Sequence, residues 1–126
     1  MIGGLEAILW LTLNVYHEAR SEDQFNQIAV AHVTLNRANK DGRTIKQTVL
    51  KDRQFSWTFQ KTKDEYWPDD WKAFLKCLKS VRVAATGYDF TQGATHYHER
   101  KVKPYWTKGM HQIGTFGAHK FYVSRR

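Results

Sequence analysis

The chain has 126 residues, 41% of them hydrophobic, which is enough for one folded domain with its own core. Its formal net charge of +8 favours an anionic partner (nucleic acid, an acidic membrane surface or an acidic cell-wall polymer), although such charge also serves solubility. The single cysteine, Cys77, excludes an internal disulfide, and no segment approaches the roughly 20 apolar residues of a membrane span.

Two helices are predicted first along the chain. Residues 5–19 are apolar almost all round, which is typical of a buried helix. Residues 23–39 also carry apolar side chains on more than one stripe, so we expect this helix to cross the core. Residues 40–43 contain turn-forming types, and residues 44–52 are expected to form a short helix or turn.

The middle of the chain combines an aromatic loop with an amphipathic helix. Residues 53–68 are rich in aromatic side chains and lack helical periodicity, and loops of this length usually carry function or disorder. A helix is predicted from Pro68 to Gly87, since apolar residues recur there at helical spacing. Its opposite face carries Lys72, Lys76 and Lys79, which suit either plain solvation or weak contact with an anionic polymer or lipid surface.

The last third of the chain predicts β structure. Residues 96–98 alternate in a way that indicates a short strand, and residues 116–123 indicate a second one. Gly114 and Gly117 are expected to form turns. The sequence therefore predicts a mainly α domain of α+β class, with a small β element near its C-terminal half.

The N-terminal residues do not resemble a secretory signal. Glu6 interrupts the apolar stretch, and no Lys or Arg precedes Arg20. We therefore expect a protein made soluble in the cytoplasm. A target outside the membrane would then be reached only after another agent lets the protein across.

Glu18 is the leading candidate for chemistry. It ends the first apolar helix, where desolvation by aromatic and aliphatic neighbours raises the pKa of a carboxyl. Such a carboxyl keeps its proton near neutral pH, as a general acid that cleaves a glycosidic bond must. The alternative is a structural ion pair with Arg20. Glu22 and Asp23 are candidates for a second carboxylate, with helix capping as their alternative role.

Histidines and aromatic residues leave other chemistries open. His96 and His98 share one face of the predicted strand, and with His111 or His119 they could bind zinc in a hydrolase. The sequence has neither an HExxH motif nor a second cysteine. Aromatic rings suit sugar faces and nucleic-acid bases, and those near the candidate segments are Trp57, Tyr66, Trp67, Tyr105 and Trp106.

A set of short blocks carries a family resemblance. In chain order they are residues 16–20 (YHEAR), 27–31 (QIAVA), 35–37 (LNR), 54–56 (QFS), 93–98 (GATHYH), 105–106 (YW), 113–114 (IG) and 119–122 (HKFY). Because these blocks occur in the same order as in the family, the sequence resembles the SleB-type cell wall hydrolases. The family is named for a spore cortex-lytic enzyme, and it also includes phage endolysins. The chain departs from the family at residues 21–23 and at Asn26, which replace Gly-Glu-Pro and a glycine. The turn after the first helix is therefore expected to differ.

The resemblance implies a lysozyme-like fold in one catalytic domain, residues 1–126, that cleaves peptidoglycan between N-acetylmuramic acid and N-acetylglucosamine. It assigns Glu18 as the acid and base of a lytic transglycosylase, which needs one carboxyl. The binding or orienting candidates are Gln27, Gln54, Ser56, Thr95, His96 and Tyr97, while Asn36 and Arg37 are expected to be structural. We expect a monomeric phage-type endolysin without cofactor or metal, whose partner is peptidoglycan and not nucleic acid. The alternatives are a zinc-dependent amidase or peptidase and a basic nucleic-acid-binding module.

Overall fold

The computed structural model describes residues 4–51 and 67–124. Within them the α-helices are α1 (Leu5–Ala19), α2 (Gln24–Asp41), α3 (Ile45–Leu50) and α4 (Trp71–Thr86), and the strands are β1 (His96–Glu99), β2 (Met110–Phe116) and β3 (His119–Ser124). A 3-10 turn, Tyr105–Thr107, lies between β1 and β2. The predicted α+β class is confirmed. Most of the predicted aromatic loop lies outside the described residues.

The helix ends follow from local capping. The Asp23 side chain accepts a hydrogen bond from the Asn26 amide at 2.9 Å and so begins α2, which confirms the capping alternative for that carboxylate. Gly42, at φ 65°, ends the helix, which runs to Asp41. The turn predicted over residues 40–43 is therefore shorter than expected, because only Gly42 has the left-handed conformation that stops the helix.

The core lies where α1, α2 and α4 pack against one another, with α3 closing one side. Residues Leu11 to Tyr16 of α1 are all buried, whereas Leu5 at its beginning is 83% exposed. The prediction of a buried first helix therefore holds for its second half. This half matters for function, because it leads directly to Glu18.

The three strands form one antiparallel sheet in the order β1-β3-β2. The predicted strand over residues 116–123 is wrong in its bounds: β2 ends at Phe116, and Gly117 at φ 61° begins the turn to β3. Gly114 is not a turn but lies within β2, next to a shift in register after Gln112. The hairpin can turn at Gly117 because glycine has no Cβ to oppose a positive φ.

We expect Gly117→Ala to lower the free energy of unfolding by about 1–2 kcal/mol from backbone strain alone. A Cβ there would also lie 2.8 Å from Glu22 Oε1 and 3.2 Å from Asn26 Cβ. Gly109→Ala is the matched control, because Gly109 has φ 80° and no atom within 4 Å of such a Cβ. Denaturant unfolding should show a larger fall in the free energy of unfolding for Gly117→Ala than for Gly109→Ala. Equal falls would contradict the expected clash of the new Cβ with Glu22 and Asn26.

No helix in the described ranges, 4–51 and 67–124, combines the length and the apolar character needed to cross a membrane.

Candidate active site

Glu18 lies in the last turn of α1, where the helix meets the first strand of the sheet. Its carboxyl is partly buried, and the Tyr97 hydroxyl, from the middle of β1, donates a hydrogen bond to Glu18 Oε1. The Tyr97 ring packs at 5.1 Å from His119 and 5.5 Å from Phe121, measured between ring centroids, so the hydroxyl is held in place by the core. The fold thus joins two of the predicted site residues that are 79 positions apart.

The environment of Glu18 favours its protonated form. Burial raises the pKa of the Glu18 carboxyl, and this effect outweighs the hydrogen bond from Tyr97 and the positive charge of Arg37, which both lower it. The negative charge of Glu99 raises the pKa further. A carboxyl with a raised pKa keeps a proton to donate at higher pH than an exposed glutamate does, as a general acid requires.

Arg20 has partners other than Glu18. Its guanidinium donates to the Tyr16 hydroxyl, and Nη1 lies 3.1 Å from Asp69 Oδ1 just before α4. The Tyr16 hydroxyl also donates to Asp69 Oδ1 at 2.8 Å. The ion pair between Glu18 and Arg20, the structural alternative for this glutamate, is not among the described contacts. Arg20 instead fastens the end of α1 to the beginning of α4.

Arg37 brings a positive charge to the site from α2. Its Nε donates a hydrogen bond to the Thr95 carbonyl, just before β1. The charge interacts with Glu18 and with Tyr97, and it stabilises their deprotonated forms. Arg37 is therefore structural, as predicted, because it ties α2 to the strand. It is also an electrostatic member of the site, which the sequence did not indicate.

Thr95 lies just before β1, and His96 begins the strand on the face opposite Tyr97. Thr95 Oγ1 lies 2.9 Å from His96 Nδ1, and the His96 ring lies 5.4 Å from that of Trp106. Burial lowers the pKa of His96 to about 4, and the positive charges of Arg37 and Lys40 act in the same direction. His96 is therefore neutral at physiological pH, and it suits hydrogen bonding better than donation of a proton to substrate.

Gln27, a predicted binding or orienting residue, is fully buried and so does not meet substrate. Its Nε2 lies 3.1 Å from the Ala19 carbonyl and 3.3 Å from the Glu22 carbonyl, and its Oε1 accepts from Ser80 Oγ at 2.7 Å. These bonds hold the turn that follows Glu18 against α2 and α4. Gln27 was expected either to bind substrate or to orient the site, and its buried position is compatible only with the orienting role.

Gln27→Leu should lower the free energy of unfolding by about 1–3 kcal/mol, because it removes the buried amide that bonds the Ala19 and Glu22 carbonyls and the Ser80 hydroxyl. The turn after Glu18 should loosen, so wall-degrading activity should also fall. Gln24→Leu is the matched control, since Gln24 lies on the same helix with an exposed side chain. Thermal unfolding and turnover of purified cell walls measure the two effects. A Gln27 variant as stable as the control would contradict the role.

Two further carboxylates lie near α1 and the sheet. Glu22 Oε1 accepts a hydrogen bond at 3.1 Å from the Ala118 amide in the β2–β3 turn. Glu99 was missed by the sequence interpretation, although strand alternation places it on the same face of β1 as Tyr97. Its charge raises the pKa of Glu18. Glu99 is thus a carboxylate close enough to act electrostatically on the candidate acid.

The histidines of the zinc hypothesis do not converge. The His98 ring stacks on Tyr122 at 5.3 Å, whereas His119 packs against Tyr97 on the opposite face of the sheet. His119 Nδ1 lies 2.9 Å from Asn26 Nδ2, and His111 is exposed on β2. Across residues 4–51 and 67–124, no three His, Cys, Asp or Glu side chains group in a way that could hold a metal ion.

Asp89 shapes the loop that leads into β1, and the sequence interpretation missed it. Its carboxylate accepts hydrogen bonds from the Thr91 amide at 2.9 Å, the Gly93 amide at 3.0 Å and Asn36 Nδ2 at 2.9 Å. Burial raises the pKa of Asp89, but the hydrogen bonds from Thr91 and Asn36 outweigh it, and the pKa is lowered overall. An aspartate two residues before a bonded amide is a common turn signal that could have revealed this role.

Gln54 and Ser56, the remaining predicted site residues, lie outside the described residues, as do Trp57 and Tyr66. The described part of the site therefore consists of Glu18, Arg37 and the strand residues from Thr95 to Tyr97, with Gln27 beneath them.

Comparison with known proteins identifies the family of the chain. A sequence profile described as Cell Wall Hydrolase matches residues 21–122. The chain belongs to the cell wall hydrolase family. It is therefore an enzyme that acts on the bacterial cell wall. The profile begins after Glu18, so the assignment of that residue depends on the site geometry and on the motif that surrounds it.

Two solved structures share the fold of this cell wall hydrolase. The catalytic domain of the germination-specific lytic transglycosylase SleB from Bacillus anthracis aligns with a TM-score of 0.79 and 25% identity, over 96% of this chain and 97% of that one. The catalytic domain of the Bacillus cereus SleB protein aligns with a TM-score of 0.77 and 27% identity, over 96% and 93%. The search of curated proteins found no match. The resemblance to SleB-type hydrolases is thus confirmed.

Proposed function

We propose that this cell wall hydrolase cleaves the bond between N-acetylmuramic acid and N-acetylglucosamine as a lytic transglycosylase, with Glu18 as its acid and base. The observation that carries the proposal is the partly buried Glu18 carboxyl, whose pKa is raised and whose orientation is fixed by the Tyr97 hydroxyl. The similar SleB domain of Bacillus anthracis is described as a lytic transglycosylase, which supports the same reaction here.

The proposed reaction uses one carboxyl twice. Protonated Glu18 donates its proton to the glycosidic oxygen as the bond to the muramic C1 breaks. The resulting carboxylate then takes the proton of the muramic 6-hydroxyl, whose oxygen bonds to C1 and closes a 1,6-anhydro ring. No water is consumed, and Glu18 ends protonated. Tyr97 and Arg37 stabilise the intermediate carboxylate, because a hydrogen-bond donor and a positive charge both favour the anion.

The products released from purified Gram-negative sacculi test this mechanism. We expect mass spectrometry to find muropeptides that end in 1,6-anhydro-muramic acid. Reducing muramic ends would contradict the transglycosylase reaction, because they show that water attacks C1. Free stem peptides with intact glycan would overturn the glycosidase proposal altogether and favour an amidase or peptidase.

Glu99→Gln should leave the products unchanged and the rate within about threefold of wild type, since a transglycosylase needs no second carboxylate. A hydrolytic glycosidase does need one, at about 5–9 Å from the acid. The variant should also lower the pKa of Glu18, because it removes a negative charge that raises it. The alkaline limb of kcat/KM should therefore move to lower pH. Loss of activity at every pH would identify Glu99 as a required second carboxylate.

The substrate contacts are part of the same proposal. Thr95, just before β1, and His96, at its start, adjoin Tyr97 in the chain and suit hydrogen bonds to the glycan. Gln54 and Ser56 are proposed to contribute from the segment outside the described residues. Substitution of His96 by Asn should raise KM more than it lowers kcat if the ring binds substrate without donating a proton to it.

We extend the proposal to a biological role as a monomeric, single-domain phage endolysin, residues 1–126. This extension rests on the resemblance to a family that also includes phage endolysins. Expressed alone in the cytoplasm of a Gram-negative host, the protein should accumulate without lysis until a pore-forming agent permeabilises the inner membrane. Prompt lysis without such an agent would contradict this role and leave the enzymatic proposal intact.

A further inference from the structure

The outward face of α4 combines cations with exposed large apolar side chains. Among the residues of the helix, Trp71–Thr86, there is no Asp or Glu. Exposed cations and exposed large apolar side chains alternate along it. The cations are Lys72, Lys76, Lys79 and Arg82, and the apolar residues are Trp71, Leu75 and Val83, at 55%, 60% and 44% exposure. We call this set the basic apolar face.

Helical geometry places these seven side chains together. At 100° per residue they fall within an arc of about 140°, and the buried side chains of α4, such as Cys77 and Val81, lie on the opposite side. The helix has 16 residues and is therefore about 24 Å long. The basic apolar face is thus a continuous strip along one side of the molecule, and its cations form no salt bridge with a described residue.

The buried side of the same helix supports the active site. Ser80 donates to Gln27 Oε1, and Phe74 packs at 6.1 Å from the Tyr16 ring, two residues before Glu18. Trp71 joins this packing, because its ring lies 5.2 Å from that of Phe74. The four cations, Leu75 and Val83 take no part in these contacts.

The mixture of side chains distinguishes between anionic partners. A hydrated glycan or a nucleic acid complements the four cations and can stack on the Trp71 indole, but it has no aliphatic region to take up Leu75 and Val83. The interface of an anionic phospholipid bilayer complements both kinds of side chain: the headgroups meet the cations, while the acyl boundary takes up Leu75, Val83 and the Trp71 indole. In a basic amphipathic helix on a membrane the apolar and cationic residues lie on separate faces, whereas on α4 they alternate on the same exposed face. The long lysine and arginine side chains can extend past the shorter apolar ones to reach the headgroups.

We propose that the basic apolar face of α4 binds the surface of an anionic phospholipid bilayer, with the helix parallel to the membrane plane. This would hold the enzyme at the membrane that faces its wall substrate. The binding is separate from the catalytic proposal, because it uses the side of α4 that points away from Glu18.

Vesicle co-sedimentation tests the proposal with the full chain. Large unilamellar vesicles of phosphatidylcholine with phosphatidylglycerol should bind the protein at low salt, and vesicles of phosphatidylcholine alone should bind it much more weakly. Each lysine near an anionic surface strengthens partition about fivefold. The variant Lys72→Gln/Lys76→Gln/Lys79→Gln should therefore bind about a hundredfold more weakly. The control Lys101→Gln/Lys103→Gln/Lys108→Gln makes the same change in net charge elsewhere on the exposed surface.

Leu75→Gln separates a bilayer from a hydrated polyanion. It leaves the charge unchanged and should still weaken vesicle binding severalfold, because an apolar contact with the acyl boundary is lost. Equal loss in the two lysine triple variants would overturn the proposal, as it would indicate net charge alone. Unchanged binding of Leu75→Gln would also overturn it. Glu18→Gln should bind vesicles like wild type, so failure of catalysis and failure of membrane binding remain distinguishable.

Discussion

Glu18→Gln is expected to abolish the release of muropeptides from purified sacculi. The amide has nearly the shape of the carboxyl but has no acidic proton, so the leaving oxygen departs without protonation and the 6-hydroxyl loses its base. Removal of a general acid–base typically costs about 10²–10⁴ in rate, and one group that serves both steps should lie at the upper end. Turnover of sacculi, followed by mass spectrometry, measures the loss.

The controls for Glu18→Gln are the neighbouring carboxylates. Glu22→Gln keeps an oxygen that can accept from the Ala118 amide, and it should retain activity within a small factor. Asp23→Asn keeps the cap of α2 for the same reason. Normal lysis by Glu18→Gln would show that the acid lies elsewhere, and loss in all three variants would indicate a general effect on the fold.

The fold should survive the Glu18→Gln substitution and become less sensitive to pH. Because burial raises the pKa of Glu18 in the folded chain, the folded state holds this proton more tightly than the unfolded state does. Wild type therefore loses stability as pH rises from the ordinary glutamate pKa of 4.5 through the raised pKa of the folded state. The Gln variant lacks this loss, so its thermal midpoint at neutral pH should equal or exceed that of wild type. A thermal midpoint below that of wild type would contradict the conclusion that the Glu18 carboxyl is desolvated.

Tyr97→Phe should lower the rate at neutral pH by about tenfold and move the pH profile. The phenyl ring keeps the packing against His119 and Phe121, but the hydrogen bond to Glu18 is lost. Since that bond lowers the pKa of Glu18, its removal should raise the pKa further. The alkaline limb of kcat/KM, where the acid loses its proton, should therefore move to higher pH.

Tyr122→Phe is the matched control for Tyr97→Phe. Tyr122 lies on the neighbouring strand, and its hydroxyl lies 2.8 Å from His98 Nε2 on the other face of the sheet. Removal of this hydroxyl should leave the alkaline limb in place. If the two variants gave the same pH profile, the role of Tyr97 in orienting and tuning Glu18 would be refuted, and its effect would be attributed to packing.

The short-range features of the fold could be predicted from the sequence. The apolar stretch before Glu18 predicted α1, the spacing of apolar residues predicted α4, and the Asp23 cap and the strand at His96 were expected in place. Each of these depends on side chains within a few residues of one another, so the pattern that determines them is visible in a short window. The hairpin was misplaced because glycine favours a turn at Gly114 and at Gly117 alike. The pairing of β2 with β3 shows that the chain turns at Gly117.

The family and the identity of the candidate acid also came from the sequence, because the family blocks keep their order along the chain. Only the tertiary structure determines which residues hold that acid in position. Tyr97 and Arg37 interact with Glu18 from β1 and α2. Gln27 bonds to Ala19 and to Ser80, and Asp89 bonds to Asn36. Hydrogen bonds and burial depend on which distant segments the packed core brings within about 3 Å, and no local pattern specifies those distances.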